Sequence, residues 1–166
     1  QFTGNYHITG NGRGTATLGT SSFVFYLASP DHAFFLSTDS SLVADGPAFS
    51  QLGGPFNPGS MRGSFGIVLT GVSLSGREDL VGQLTADGAG TLAGTLDVNL
   101  PSGVTAGIPI QSGSTYSVSG NGRGIATLNT SAGTLHFSFY LLDSSSALFL
   151  GTDSARVLVG STAKQF

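Results

Sequence analysis

The chain contains no cysteine and no tryptophan, and Lys164 is its only lysine. Without cysteine there are no disulfides and no thiolate zinc sites. Charged residues make up 9% of the sequence, against roughly 25% in ordinary globular domains. Six cations and a net charge of −3 leave nothing to cluster into a groove for phosphates, which excludes nucleic acid as a partner. No apolar run reaches the length of about 18 residues that a membrane-spanning helix requires. The sequence opens on Gln1 rather than Met, so a removed secretory signal peptide is the expectation. The expected location is then extracellular or at the cell surface.

In place of charge the chain has glycine, serine and threonine. Hydrophobic residues at 39% and aromatics at 10% suffice for a core. A surface with so little charge offers weak colloidal repulsion and favours association with other protein.

The stretch "GNGRG" occurs twice, at Gly10–Gly14 and Gly120–Gly124. A phosphate cradle would need a helix after the glycines. Here the flanks alternate like strands: "YHIT" and "TATL" around the first, "YSVS" and "IATL" around the second. Asn11-Gly12 and Asn121-Gly122 therefore read as β-hairpin turns, of the type I′ that needs positive φ at both central residues. The match extends far beyond the turns. Tyr6 corresponds to Tyr116, Arg13 to Arg123 and Leu18 to Leu128. After a short insertion around Ser131–Thr134, Phe25-Tyr26 corresponds to Phe139-Tyr140, Thr38-Asp39 to Thr152-Asp153, and Gln51 to Gln165. This is an internal duplication.

Period-two alternation dominates the whole chain, and no amphipathic helix of useful length is present. "SFVFYLAS" and "LHFSFYLLD" read as strands rich in aromatic and β-branched residues. Each copy holds about five strands at the spacing of an all-β sandwich or barrel. Between the copies, Asp87-Gly88 reads as a further hairpin turn, pairing "LVGQLTA" with "TLAGTLDV". The expected fold is all-β and antiparallel. Residues 64–166 form a meander of about eight strands that can close into an up-and-down barrel. Residues 52–63, "LGGPFNPGSMRG", read as a Gly/Pro linker. Residues 1–51 supply only the last five strands of such a unit, with three strands missing.

The segments "GQLTADGAGTLAGTLDVN", "GSTYSVSGNGRGIATL", "FSFYLL" and "ALFLGTD" resemble a glycine-rich repeat of large secreted proteins from acidobacterial-type soil bacteria. The resemblance covers most of residues 64–165, and its second half covers residues 4–51 again. It implies a secreted, tandemly repeated β-module and brings no catalytic residues.

The candidate chemistry is sparse. His7, His32 and His136 do not recur between copies and lack metal-ligand spacing, so no catalytic, metal or cofactor site is expected. Asp39 and Asp153 recur and read as turn carboxylates that accept backbone N–H bonds. Arg13 and Arg123 recur and read as buried or half-buried cations tied to carboxylates or strand-end carbonyls. Phe23, Phe25, Phe137 and Phe139 are expected in the core. Tyr26, Phe35, Tyr140 and Phe149 are expected at or near contacts with another subunit, Tyr26 and Tyr140 from the face opposite the phenylalanine core. The functional expectation is a non-enzymatic, secreted structural protein that partners itself. The half-repeat would be completed by strands of another copy, and head-to-tail growth would give a filament. The alternative is an extracellular module that binds a small apolar ligand or a carbohydrate.

Overall fold

The computed structural model describes residues 3–166. Gln1, on which the expectation of a removed leader rests, lies outside the described residues. The strands fall into two units, one ending at Ser50 and one comprising Gln51–Phe166. Both are all-β and antiparallel.

The first unit is a five-stranded sheet in sequential order: β1 (Gly4–Ile8), β2 (Arg13–Leu18), β3 (Ser21–Ser29), β4 (His32–Ser37) and β5 (Asp45–Phe49). Neighbouring strands are joined by short connections, as expected of a meander. The strands β1 and β5 have a neighbour on one side only.

The second unit contains β6 (Arg62–Ser73), β7 (Gly76–Asp87), β8 (Leu92–Leu100), β9 (Gly103–Ile110), β10 (Thr115–Val118), β11 (Arg123–Thr130), β12 (Gly133–Leu141), β13 (Ser146–Gly151) and β14 (Arg156–Lys164). β14 pairs with β6 along its whole length, from Arg156↔Ser73 to Lys164↔Phe65. The strands β9 and β10 lie end to end as one interrupted rung. Ile110 and Thr115 pair with Thr130 and Thr127 of β11, while Gly94 and Thr91 on the β8 side pair with Ile110 and Thr115. The result is a ring of eight rungs, closed as a barrel. Closure gives the other rungs a neighbour on both sides, while residues 103–109 of β9 pair with β8 alone, since β9 meets β11 only at Ile110↔Thr130.

The core of the barrel follows from that alternation. Phe65, Ile67 and Leu69 point inward from β6, and Leu80 and Leu84 from β7. They meet Leu128, Phe137, Phe139, Phe149 and Leu158 from the opposite wall.

Residues 52–63 are not a linker. Phe56 and Met61 are buried in the barrel core, and a 3-10 turn at Pro58–Ser60 lies between them. The Tyr116 hydroxyl donates to the carbonyls of Pro58 and Met61, both at 2.8 Å. Phe56 N–H donates to Gly120 O at 3.1 Å, and Gln51 Nε2 donates to Leu141 O at 2.6 Å. The segment covers the end of the barrel at which the Asn121-Gly122 loop lies. Two isolated apolar side chains carry no periodic signal, which is why the sequence reads as a linker there.

The strands of the first unit correspond one to one with β10–β14. Gly14 lies opposite Phe25 and Phe25 opposite Phe35; in the barrel, Gly124 lies opposite Phe139 and Phe139 opposite Phe149. The rungs with no counterpart in the first unit are β6, β7 and β8, with the β9 half of the interrupted rung.

Candidate functional site

The candidate site is the inner face of the first unit, the face whose counterpart lines the barrel. The repeated glycine motif builds part of it. Gly12 and Gly122 both have φ of 80° and close the hairpin loops. Gly14 and Gly124 serve a different purpose. A Cβ on either would sit 2.2 Å from the Cζ atom of Phe25 or Phe139. The ring lies flat over the glycine, and the last residue of "NGRG" is glycine to admit it.

Around that ring both copies assemble the same aromatic cluster. Phe25 stacks on Phe35 with centroids 4.8 Å apart, and Phe23 meets Phe35 edge-on at 6.2 Å. Phe139 stacks on Phe149 at 5.0 Å, and Phe137 meets Phe149 edge-on at 5.9 Å. Offset stacks and edge-on contacts of this kind hold a face rigid.

What differs is what faces the cluster. Leu18 is 51% exposed where Leu128 is 0%. Leu27 is 44% exposed where Leu141 is 2%, and Tyr6 is 76% exposed where Tyr116 is 5%. A groove of about 330 Å³ runs along Leu18, Phe23, Phe35, Ala44 and Ala48. The lining of this groove is mostly apolar, and it faces open space.

Tyr26 and Tyr140 lie exposed on the outer faces, among Phe34, Leu36, Ile125 and Leu150. Phe35 and Phe149 do not join them. Each lies directly opposite an inward phenylalanine, Phe25 or Phe139, and directly opposed residues share a face. Phe149 is buried in the core and so does not reach a contact surface, whereas Phe35 lines the open groove of the first unit. Phe25, Phe137 and Phe139 are buried as expected, whereas Phe23 is only half-buried, because the described residues of its own unit form a single sheet with no opposite wall.

The "NGRG" loops cap hairpins, but not as type I′ turns. Asn11 and Asn121 do not have positive φ. Each Asn side chain accepts the N–H of Arg13 or Arg123 at 3.1 Å, an Asx turn that holds Asn on the ordinary side of φ. The loop therefore has three residues, with only the glycine left-handed. Arg13 and Arg123 are exposed, since they alternate with the inward glycines. Arg123 Nη2 donates to Ser138 Oγ at 3.1 Å.

Asp87 and Gly88 form a hairpin between β7 and β8, with Gly88 at φ 83°. Asp87 Oδ1 accepts the N–H groups of Ala89, Gly90 and Thr91 at 2.7, 2.9 and 2.9 Å. These bonds lower its pKa from 3.8 to about 2. Asp39 and Asp153 share one role. Asp39 accepts the N–H of Ser22 at 3.3 Å, and Asp153 accepts that of the equivalent His136 at 3.0 Å. Burial raises the Asp153 carboxyl, but the His136 N–H and ring outweigh it and leave its pKa below the usual value.

His136 Nδ1 lies 2.7 Å from Asp153 Oδ1, His32 stacks on Phe49 at 4.6 Å, and His7 is exposed. The three sit on separate strands. Among the described residues no three His, Asp or Glu side chains converge as metal ligands.

Sequence reasoning missed a second feature. The barrel holds a cavity of about 150 Å³ lined by Leu80, Leu96, Val98, Ile108 and Leu135. At its wall Arg156 Nη1 donates to Glu78 Oε1 at 2.9 Å. Glu78 is buried. Nothing in the sequence marks this pair, since Glu78 and Arg156 stand on strands 78 residues apart.

No protein-family model matches the chain, and no curated protein is significantly similar to it.

Proposed function

We propose that the protein is a non-enzymatic, secreted structural module that assembles with itself, its open five-stranded sheet being completed by another copy. The observation that carries this reading is the contrast between equivalent side chains. Leu18, Leu27 and Tyr6 lie open, where Leu128, Leu141 and Tyr116 are sealed in the barrel core, Tyr116 against the 52–63 segment. An apolar inner face and two one-sided edge strands are jointly satisfied by strand addition. The low charge of the chain opposes such contacts weakly. A filament is the open form of this assembly and requires both edge strands to pair.

Sedimentation velocity of the full chain over a range of concentrations tests the reading. Association that strengthens with concentration is expected, and deletion of residues 1–50 leaves a folded monomer. A full chain that stays monomeric at high concentration ends the proposal.

The barrel cavity favours a second reading, an extracellular module for a small apolar ligand. A largely apolar cavity near 150 Å³ has room for a molecule the size of benzene. Under this reading benzene raises the melting temperature of the monomer, and Leu96→Trp, which fills the cavity, abolishes the shift.

A further inference from the structure

We infer that the second copy docks on the β1 edge alone, strand against strand about a two-fold axis, and that the β5 edge is closed to pairing by Pro47. The inference rests on the self-assembly reading and specifies its interface.

The two edges differ in what they offer. On β1, Thr9 N–H donates to Arg13 O at 2.8 Å and Gly19 N–H donates to Thr3 O at 3.2 Å. Residues 3, 5, 7 and 9 thus spend their backbone groups on β2. By alternation, the N–H and C=O groups of Gly4, Tyr6 and Ile8 point away from the sheet. The barrel shows what belongs there. The equivalent Tyr116 N–H donates to Gly90 O at 2.8 Å, and the carbonyl of Ser114, equivalent to Gly4, accepts from Leu92 N–H at 3.0 Å. Strand β1 reads Gly-Asn-Tyr-His-Ile, with no carboxylate, lysine or arginine to repel a partner strand.

On β5 the outward positions are different. Ser37 N–H donates to Ala44 O at 2.7 Å, and Ser50 N–H donates to Asp31 O at 2.9 Å. Even-numbered residues therefore face β4, and Asp45, Pro47 and Phe49 face outward. The middle outward residue has no N–H to give. In the barrel that position is Ser161, which pairs with Val68 of β6. A proline whose ring faces the open side of an edge strand is a recurrent device against edge-to-edge pairing.

Strand count decides the symmetry. Antiparallel strands alternate in direction, and five is odd, so β1 and β5 run the same way. Joining β5 of one copy to β1 of the next with both inner faces on one side makes a parallel seam. Joining β1 to the partner's β1 about a two-fold axis perpendicular to the sheet is antiparallel and isologous. With the axis on Tyr6, Gly4 lies opposite the partner's Ile8. Both inner faces then lie on one side of a ten-stranded sheet, and the exposed Tyr6 ring meets its own counterpart. Pro47 terminates the sheet at both ends, so the product is a dimer.

The absence of native cysteine makes the test direct. Cα atoms across a hydrogen-bonded antiparallel pair are about 5.5 Å apart, within disulfide range. The full chain carrying Tyr6→Cys is expected to oxidise to a covalent dimer, while Pro47→Cys stays monomeric on a non-reducing gel. In sedimentation the wild type reaches twice the monomer mass and stops. Tyr6→Pro removes one outward N–H per copy, hence two bonds per dimer, and weakens the dimer at least about tenfold. Pro47→Ser restores the missing donor and extends the dimer into larger species. A wild type that grows past the dimer, or a Pro47→Cys chain that cross-links while Tyr6→Cys does not, overturns the β1 interface and leaves self-assembly standing. A wild type that remains monomeric at every concentration overturns both.

Discussion

Phe23 and Phe137 occupy the same place in two copies of one five-stranded sheet, and only Phe137 is buried. Their immediate neighbours are alike: each meets a phenylalanine edge-on, each sits beside an alanine on the preceding strand, and each belongs to a strand of nine residues. What differs lies across the interior. In the barrel, Phe65, Leu69, Leu80 and Leu84 arrive from β6 and β7 and complete the packing. In the first unit no such wall exists among the described residues, and the cluster of Ala16, Phe25 and Ala33 stands with one side open. A sheet can therefore be specified twice by matching strand patterns and reach two different states of completion. Local pattern sets the strand, and burial depends on a second layer.

The largest expected effect tests that contrast. Phe137→Ala should cost about 3–5 kcal/mol, the usual range for a buried aromatic. Phe23→Ala, with part of its ring already in water, should cost about 1–2 kcal/mol. Urea unfolding of each variant at low protein concentration measures both. Equal costs would mean that the inner face of the first unit is covered in solution, and the difference should shrink as concentration drives assembly.

A smaller effect is expected at the glycines beneath the rings. Gly124→Ala places a Cβ 2.2 Å from the Phe139 ring inside a full core, and overpacking of this kind costs about 1–3 kcal/mol. Gly14→Ala creates the same clash with Phe25, but that ring can tilt toward the open face, so the loss should be less. If Gly14→Ala proves the more damaging of the two, the Phe25 cluster is held as tightly as the closed one.

The smallest effect concerns acid. Asp87 caps a hairpin that only the barrel possesses. Its folded pKa, about 2, lies below its ordinary 3.8. A depressed carboxylate contributes stability that is present above the ordinary pKa and is lost as pH falls through the folded one. The barrel should therefore weaken between pH 3.8 and about 2. Asp87→Asn should flatten that part of the melting profile and leave the first unit unchanged. An unaltered slope would assign the acid sensitivity to other carboxylates.

Much of the architecture is legible in the residues. The duplication, the five strands in each copy and the hairpins at Asn11-Gly12, Asn121-Gly122 and Asp87-Gly88 all follow from alternation and turn chemistry. The carboxylates Asp39 and Asp153 were equally readable, because a recurring acid at a strand end has few other uses. The misreadings share a cause. The contact expected at Phe149 is not met, because the face of β13 depends on its register against β12, which the intervening turn sets. Residues 52–63 looked like a linker because Phe56 and Met61 enter the core singly, without a period. The type I′ turn failed because the Asn side chain, by accepting the N–H two residues on, holds its own backbone at negative φ. The candidate site was half visible: the missing strands were countable, but the orientation of Pro47 toward the open edge required the hydrogen-bond alternation of β4 and β5.

The amino-acid sequence by itself determined the strands, the repeat and the turns, because these are set by steric and hydrogen-bonding preferences acting within a few residues. Only the tertiary structure decided which copy is sealed. Sealing Leu128 while leaving Leu18 open depends on whether β6, β7 and β8 stand across the interior. That is a matter of contacts between residues far apart in the chain, which the residues matched between the two copies do not themselves encode.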